Sequence, residues 1–412
     1  MVTRPGFTSA AYLCTVTHVK PILASHAAFA AFGLFWGAWG AALPALRDGA
    51  GVDVAGLGTA LLFVGAGALP AMALTGRAVD RLGARIAGVL LIALAVAGAV
   101  TAATARDLTS LALGMALVGA TSGAADVAAN ALAGLAEQRS GRRVITLSHA
   151  VFSCAVVIGS LGTGALRAAG TGVGTVFAVV GAVIAGAGVA ASLLGDGPAR
   201  HGRQPAAPGH RGVRPLLPFV AVGAVGALGF AMENAHQSWS AVFLGDELGA
   251  DPGLTALAPA TFAACAALTR FVTGGLVRIP PTRLLVGGAV TALVGSLALG
   301  AAPTVPLALA ALSVAAVGTS VLFPTLLSQA TAQVPPHERG RATSAVATTA
   351  YLGFVLGPVC VGALAGAVGL RGAMVGVAAL AGAFALLAPL CTGSRRRVSR
   401  PAARRPAARS SA

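Results

Sequence analysis

From Ile86 to Thr104 the chain carries no charged side chain, and apolar runs of similar length recur from one end to the other. About 20 such residues are enough for a helix to cross the hydrocarbon core of a bilayer. At that depth there is no water to satisfy a backbone, so each run must close its own hydrogen bonds, as a helix does. Strands of a membrane barrel would alternate in polarity, and these runs do not. The chain therefore reads as an all-α integral membrane protein. Breaks at charges and prolines divide it into twelve transmembrane helices, at 22–46, 55–75, 86–104, 109–135, 144–166, 173–194, 216–243, 255–276, 284–302, 307–330, 343–366 and 372–391.

Composition agrees with a bilayer as solvent. Only 10% of residues are charged and 56% belong to the AVILMFWYC set, against about 25% charged in a water-soluble domain. The 56 glycines allow helices to pack closely. Cys14, Cys154, Cys265, Cys360 and Cys391 have no paired spacing and read as small apolar fillers. No Walker loop, dinucleotide glycine motif or zinc-binding histidine pair is present. No cofactor, no metal and no enzymatic activity are expected, and uphill work would have to draw on an ion gradient.

Charge placement orients the bundle. With both termini cytoplasmic, 23 of the 28 basic residues fall on the inside, and only Arg47, Arg106, Arg167 and Arg371 fall outside. The net charge of +16 thus reflects sided insertion, and no aromatic–basic interleaving points to nucleic acid. Residues 1–21 read as a cytoplasmic leader, 22–194 as a first six-helix half and 195–215 as a flexible cytoplasmic linker. A second six-helix half follows at 216–391 and a basic cytoplasmic tail at 392–412, whose arginines suit anionic headgroups.

The two halves repeat one another. Gly76-Arg77-Ala78-Val79-Asp80-Arg81-Leu82-Gly83-Ala84-Arg85 has a fainter copy 198 residues later, from Gly274 to Arg283, and Gly141-Arg142 recurs as Gly340-Arg341. A parallel repeat of two six-span halves is a transporter architecture. Gly76-x-x-x-Asp80-Arg81-x-Gly83-x-Arg85 resembles the loop 2–3 signature of the major facilitator superfamily (MFS). Four further stretches resemble its fucose:proton symporter-like and sugar-transporter-like branch. These are Asp126-x-x-x-Asn130, Ser148-His149-Ala150-x-x-Ser153, Glu233 through Trp239, and Gly357-Pro358. The resemblance implies the MFS fold and alternating access. It also makes the 76–85 cluster a gate, with Asp80 holding two helices together and Gly76 and Gly83 permitting a tight turn. The second copy has Arg278 where Asp80 stands.

Ionisable groups within spans are functional candidates by default. Asp126 lies roughly 15 Å from the inner end of its span at 1.5 Å per residue, and Asn130 shares its face; the pair is a candidate for proton coupling or substrate contact. Glu233, His236, Gln237 and Ser240 fall at helical spacing on one stripe, flanked by Asn234 and Trp239. Carboxylate, amide and indole groups together suit a polyol or sugar. Trp36, Trp39 and Tyr351 are candidate cavity residues, and His149 is a candidate gate or interfacial residue. Arg270 either snorkels to the inner surface, the favoured expectation, or pairs with a buried carboxylate.

The expected function is secondary active transport of a small polar solute, sugar-like or another metabolite, coupled to protons. The alternative is a proton-driven drug or metabolite exporter of the same fold. That alternative is less favoured because family exporters usually have an arginine in span four and a glycine–proline element in span five, whereas this chain has Asp126 and a proline-free run from Ala155 to Leu166. The expected partners are a small-molecule substrate, protons and the lipid bilayer, with a monomer plausible, in the plasma (inner) membrane of a bacterium.

Overall fold

The computed structural model describes residues 7–83, 85–195, 216–275, 279–332 and 334–393, and no strand occurs among them. The first half comprises α1 (Phe7–Gly49), α2 (Val54–Leu82), α3 (Ile86–Thr104), α4 (Leu108–Ser140), α5 (Val144–Ala168) and α6 (Val173–Leu194). The second comprises α7 (Leu217–Leu248), α8 (Pro252–Thr255), α9 (Leu257–Gly275), α10 (Pro281–Ala301), α11 (Val305–Thr319), α12 (Leu322–Thr331) and α13 (Pro336–Gly393). Here α8 with α9, and α11 with α12, each make one span.

The last helix holds two. At 58 residues a straight α13 would run about 87 Å at 1.5 Å per residue, nearly three hydrocarbon thicknesses of about 30 Å. Gly369 interrupts it with φ 77° and ψ 165°, a conformation essentially confined to glycine. Beyond it the chain returns on itself: a Cβ on Gly376 would come within 2.6 Å of Leu364 Cδ1. Eleven described helices are long and apolar enough to cross a membrane, and the folded-back last one brings the crossings to twelve.

Helix ends depart from the sequence-based bounds where a helix runs on past its apolar run. α1 starts at Phe7, well ahead of residue 22, and α4 and α7 extend to Ser140 and Leu248. The stretch from Gly76 is mostly the last turns of α2, which Gly83 terminates at φ 80°. Gly76 sits inside that helix with nothing within 4 Å of a would-be Cβ, so neither a turn nor close packing requires it. Most of the linker and the basic tail lie outside the described residues.

Small residues bring backbones together at the seams within each half. A Cβ on Gly119 of α4 would lie 1.9 Å from the Val64 carbonyl of α2, and one on Gly353 of α13 would lie 1.8 Å from the Ala227 carbonyl of α7. Without a hydrophobic force between helices in lipid, such close packing is what associates them. Leu193, Leu217, Phe271 and Leu386 stand exposed; on a flank whose solvent is lipid this costs nothing.

Candidate solute cavity

A cavity of about 250 Å³ lies between the halves, walled by α1, α2, α4 and α5 on one side and α7, α9 and α13 on the other. It brings together Asp126, Trp36 and Trp39 of the first half with Glu233, Asn234, Gln237 and Tyr351 of the second. On α1 the spacing of Phe32, Trp36 and Trp39 puts three rings on one face. Behind them Phe35 stacks on Trp39, with centroids 5.8 Å apart.

Asp126 is steadied from its own helix. Asn130 Nδ2 donates to Asp126 Oδ1 at 2.9 Å and to the Asp126 carbonyl at 2.9 Å. Asn130 is outside the cavity lining and positions the carboxylate. Tyr351 lines the same cavity from α13.

Arg270 takes the second of its two expected roles. Its Nη2 donates to Glu233 Oε1 at 2.7 Å and its Nε to the Ser320 carbonyl at 3.1 Å. The carbonyl stands at the break between α11 and α12, where helical bonding is interrupted. Two acceptors within the protein hold the guanidinium, so it pairs and does not snorkel. Gln237 Nε2 also reaches Glu233 Oε1, at 3.3 Å.

The polar stripe on α7 is wet along a different line from the one expected. At about 100° per residue, positions 233, 234, 237 and 238 span an arc of about 140°, and these four line the cavity. His236 falls on the other side: it is 1% exposed, its Nδ1 2.7 Å from the Met232 carbonyl and its Nε2 3.1 Å from Ser296 Oγ on α10. Trp239 is likewise fully buried, donating Nε1–H to the Pro358 carbonyl at 3.2 Å. Ser240 is buried as well. His149 is absent from the lining; it is exposed and meets Phe29 edge-on with centroids 4.9 Å apart.

Pro358 explains part of this arrangement. Lacking an N–H, it leaves the Phe354 carbonyl four residues back without its helical partner. Asn234 Nδ2 supplies the missing donor from α7. The bend in α13 and the amide on α7 are therefore one feature.

Loops rich in arginine lie at one end of the bundle, and the arginine-poor end is closed between the halves. Arg47 at the end of α1 binds Asp246 at the end of α7 through both terminal nitrogens. Gly58 of α2 and Gly362 of α13 meet so closely that a Cβ on Gly58 would lie 2.7 Å from the Gly362 Cα. Ser160 Oγ donates to the Ala256 carbonyl at 2.7 Å. Beside them Arg371 binds Glu247 at 2.9 Å and the carbonyls of Gly300 and Ala302. Each of these charges looked like an ordinary span end in the sequence.

At the opposite end, Arg85 Nε donates to the Gly195 carbonyl at 2.9 Å and the Arg85 carbonyl accepts from Ser192 Oγ, tying the loop after α2 to the end of α6. Arg81 is exposed, and the Asp80 side chain lies outside the described residues.

A membrane-spanning bundle of two repeated halves around a central cavity that holds carboxylates, amides and rings is a transporter architecture. Comparison with known proteins agrees. Residues 222–412 match the family model described as Major Facilitator Superfamily. The chain is 31% identical over 354 residues to the uncharacterized transporter y4wD of Sinorhizobium fredii, covering 84% of this chain and 92% of the relative. It is 28% identical over 325 residues to an uncharacterized MFS-type transporter of Yersinia pestis, covering 76% of this chain and 81% of that one. Among solved structures, a bacterial homologue of the human lysosomal transporter Spinster, inward-facing and unoccupied, superposes with a TM-score of 0.71 at 18% identity, over 94% of this chain and 98% of that one. The chain belongs to the major facilitator superfamily.

Proposed function

We propose that this transporter moves a small polar solute by alternating access and couples the movement to protons at Asp126. One observation carries the reading. Asp126 faces the cavity between the halves, and its carboxylate is held by the neutral amide of Asn130 with no cationic partner among the described residues. A carboxylate in that position is costly as a lone charge and gains by taking up a proton, which suits it to load and unload as the cavity changes sides.

In this reading residues 22–194 and 216–391 rock against one another about the 195–215 linker, in the inner membrane of a bacterium with both termini cytoplasmic. Arg47 and Asp246 then close the outer side while the cavity is reached from within. The 76–85 cluster, with Asp80, latches the inner side in the opposite state. Asp126, Asn130, Glu233, Asn234 and Gln237 form the coupling and substrate region, with Trp36, Trp39 and Tyr351 around it. The test is solute-dependent proton flux into liposomes holding the purified protein. Asp126→Asn should abolish the flux at undiminished expression; flux that survives in Asp126→Asn overturns the coupling role. Asp80→Asn should slow transport at undiminished expression.

Export of a drug or metabolite against entering protons is the second reading. The aromatic share of the cavity wall favours it, since Phe32, Trp36, Trp39, Phe152, Phe262, Tyr351 and Phe354 all reach the lining.

A further inference from the structure

We infer that the cargo is a small organic cation with an apolar or aromatic body, which occupies Asp126 in place of the proton. The inference rests on the transporter reading above and names its substrate class. Charge balance leads to it. Asp126, Glu233 and Arg270 are the carboxylates and guanidinium among the described lining residues. Arg270 and Glu233 cancel one another through their 2.7 Å contact. Asp126 is left as one negative charge, supported only by an uncharged amide. An ionised carboxylate away from water needs a counter-charge, and either a proton or a cationic solute supplies it, one at a time.

Several neutral polar groups on the wall already have partners within the protein. The Asn234 amide serves Phe354 and Ser238, the Gln237 amide serves Glu233, and Ser153 bonds the His149 carbonyl. A sugar brings several hydroxyls that each need a partner, and these side chains are already partly committed. Rings, by contrast, surround the space from both halves, and their faces attract cations. At about 250 Å³ the cavity falls just below the roughly 300–1,000 Å³ of drug-sized sites, so the solute is small.

The groups that could compete for Asp126 are few. α13 adds the phenol of Tyr351 to the lining, and α7 and α9 add the self-neutralised Glu233–Arg270 pair; α1, α2 and α5 contribute no ionisable side chain to the described lining. Proton and cargo therefore exclude one another, and the cycle exchanges one for the other across the membrane.

The test measures binding to the purified full-length protein by thermal stabilisation. The probes are 2-phenylethylammonium, its neutral counterpart 2-phenylethanol, phenylacetate and galactose, each at mildly acidic and mildly alkaline pH. The ammonium ion should stabilise and the other three should not. Its apparent affinity should fall as pH drops, approaching about tenfold per pH unit where proton and cation compete for one site. Asp126→Asn should lose the effect and Asp126→Glu keep it. If Asp126→Asn does not fold, the pH dependence in the unaltered protein decides. Equal stabilisation by 2-phenylethanol, stabilisation by galactose alone, no response to the ammonium ion, or a response independent of pH would each overturn the cation class. Galactose-driven proton flux that requires Asp126 would overturn it too, yet leave the proton-coupled transporter standing. Ammonium binding with the expected pH dependence, but without proton-driven movement in liposomes, would support the cation site and sink the coupled-transport reading.

Discussion

Arg47 and Asp246, joined by a two-nitrogen ion pair, stand 199 positions apart, the same offset that carries Gly141-Arg142 onto Gly340-Arg341. They are repeat-equivalent residues at the ends of α1 and α7, with opposite charges, and they meet where the two halves face each other. The neighbouring close contacts obey the same relation. Moving Gly58 and Gly362 by one repeat in opposite directions arrives beside Ala256 and Gly164, and these two also touch, with a Cβ on Gly164 2.4 Å from that of Ala256. Closure at the arginine-poor end is thus a near-symmetric device with a charged pair at its centre.

Removing either charge should favour opening of that end. The Arg47 side chain is 13% exposed and that of Asp246 29%, so the pair should be worth about 1 kcal/mol, the upper part of the range for partly solvated pairs. Arg47→Ala or Asp246→Ala should raise the labelling rate of a Leu43→Cys probe by an impermeant maleimide by roughly fivefold. The charge swap Arg47→Asp with Asp246→Arg should restore the slow rate. Unchanged labelling in both single variants would deny the pair a role in closure.

Gly369→Ala should lower stability by about 1–3 kcal/mol, because its backbone lies in a region that side chains resist. Gly172→Ala is the control, since that glycine has φ −62° and open space around it. Melting in detergent should separate the two. Equal midpoints would mean that the turn in α13 relaxes without strain.

Asn234→Ala should cost about 1–3 kcal/mol by leaving a buried carbonyl without a donor. The loss should be recovered in part by adding Pro358→Ala, which returns an N–H to the Phe354 carbonyl from its own helix. A double-mutant cycle on melting free energies checks this. Strict additivity would show that the amide and the proline act independently.

Glu233→Gln and Arg270→Ala should each weaken the protein by less than the 3–5 kcal/mol or so of a fully buried pair, because the Arg270 side chain is 44% exposed. The double variant should be less destabilised than the sum of the two. Equal additive losses would indicate that Ser320, and not Glu233, is the partner that matters to Arg270.

The membrane-crossing helices were legible because bilayer thickness sets run length. Helix ends were harder to read. The arginines of the 76–85 stretch suggested a loop, yet α2 continues beneath them, Arg77 Nη1 even returning to the Ala73 carbonyl. Asp126 and Glu233 were readable as cavity residues since a carboxylate inside an apolar run has few other places to go. His236 and Trp239 were misplaced because α7 carries polar groups all round, and only Ser296 of α10 and Pro358 of α13 decide which face stays dry. Arg270 depended on the break between α11 and α12, and the Arg47–Asp246 pair on tertiary proximity; neither leaves a local pattern.

That break has a mechanical meaning. Through one guanidinium Arg270 grips the Glu233 carboxylate of α7 and the backbone of Ser320 between α11 and α12. Anything that displaces Arg270 slackens both holds together, so a shift at α9 and the loosening of a jointed rod in the second half become a single event.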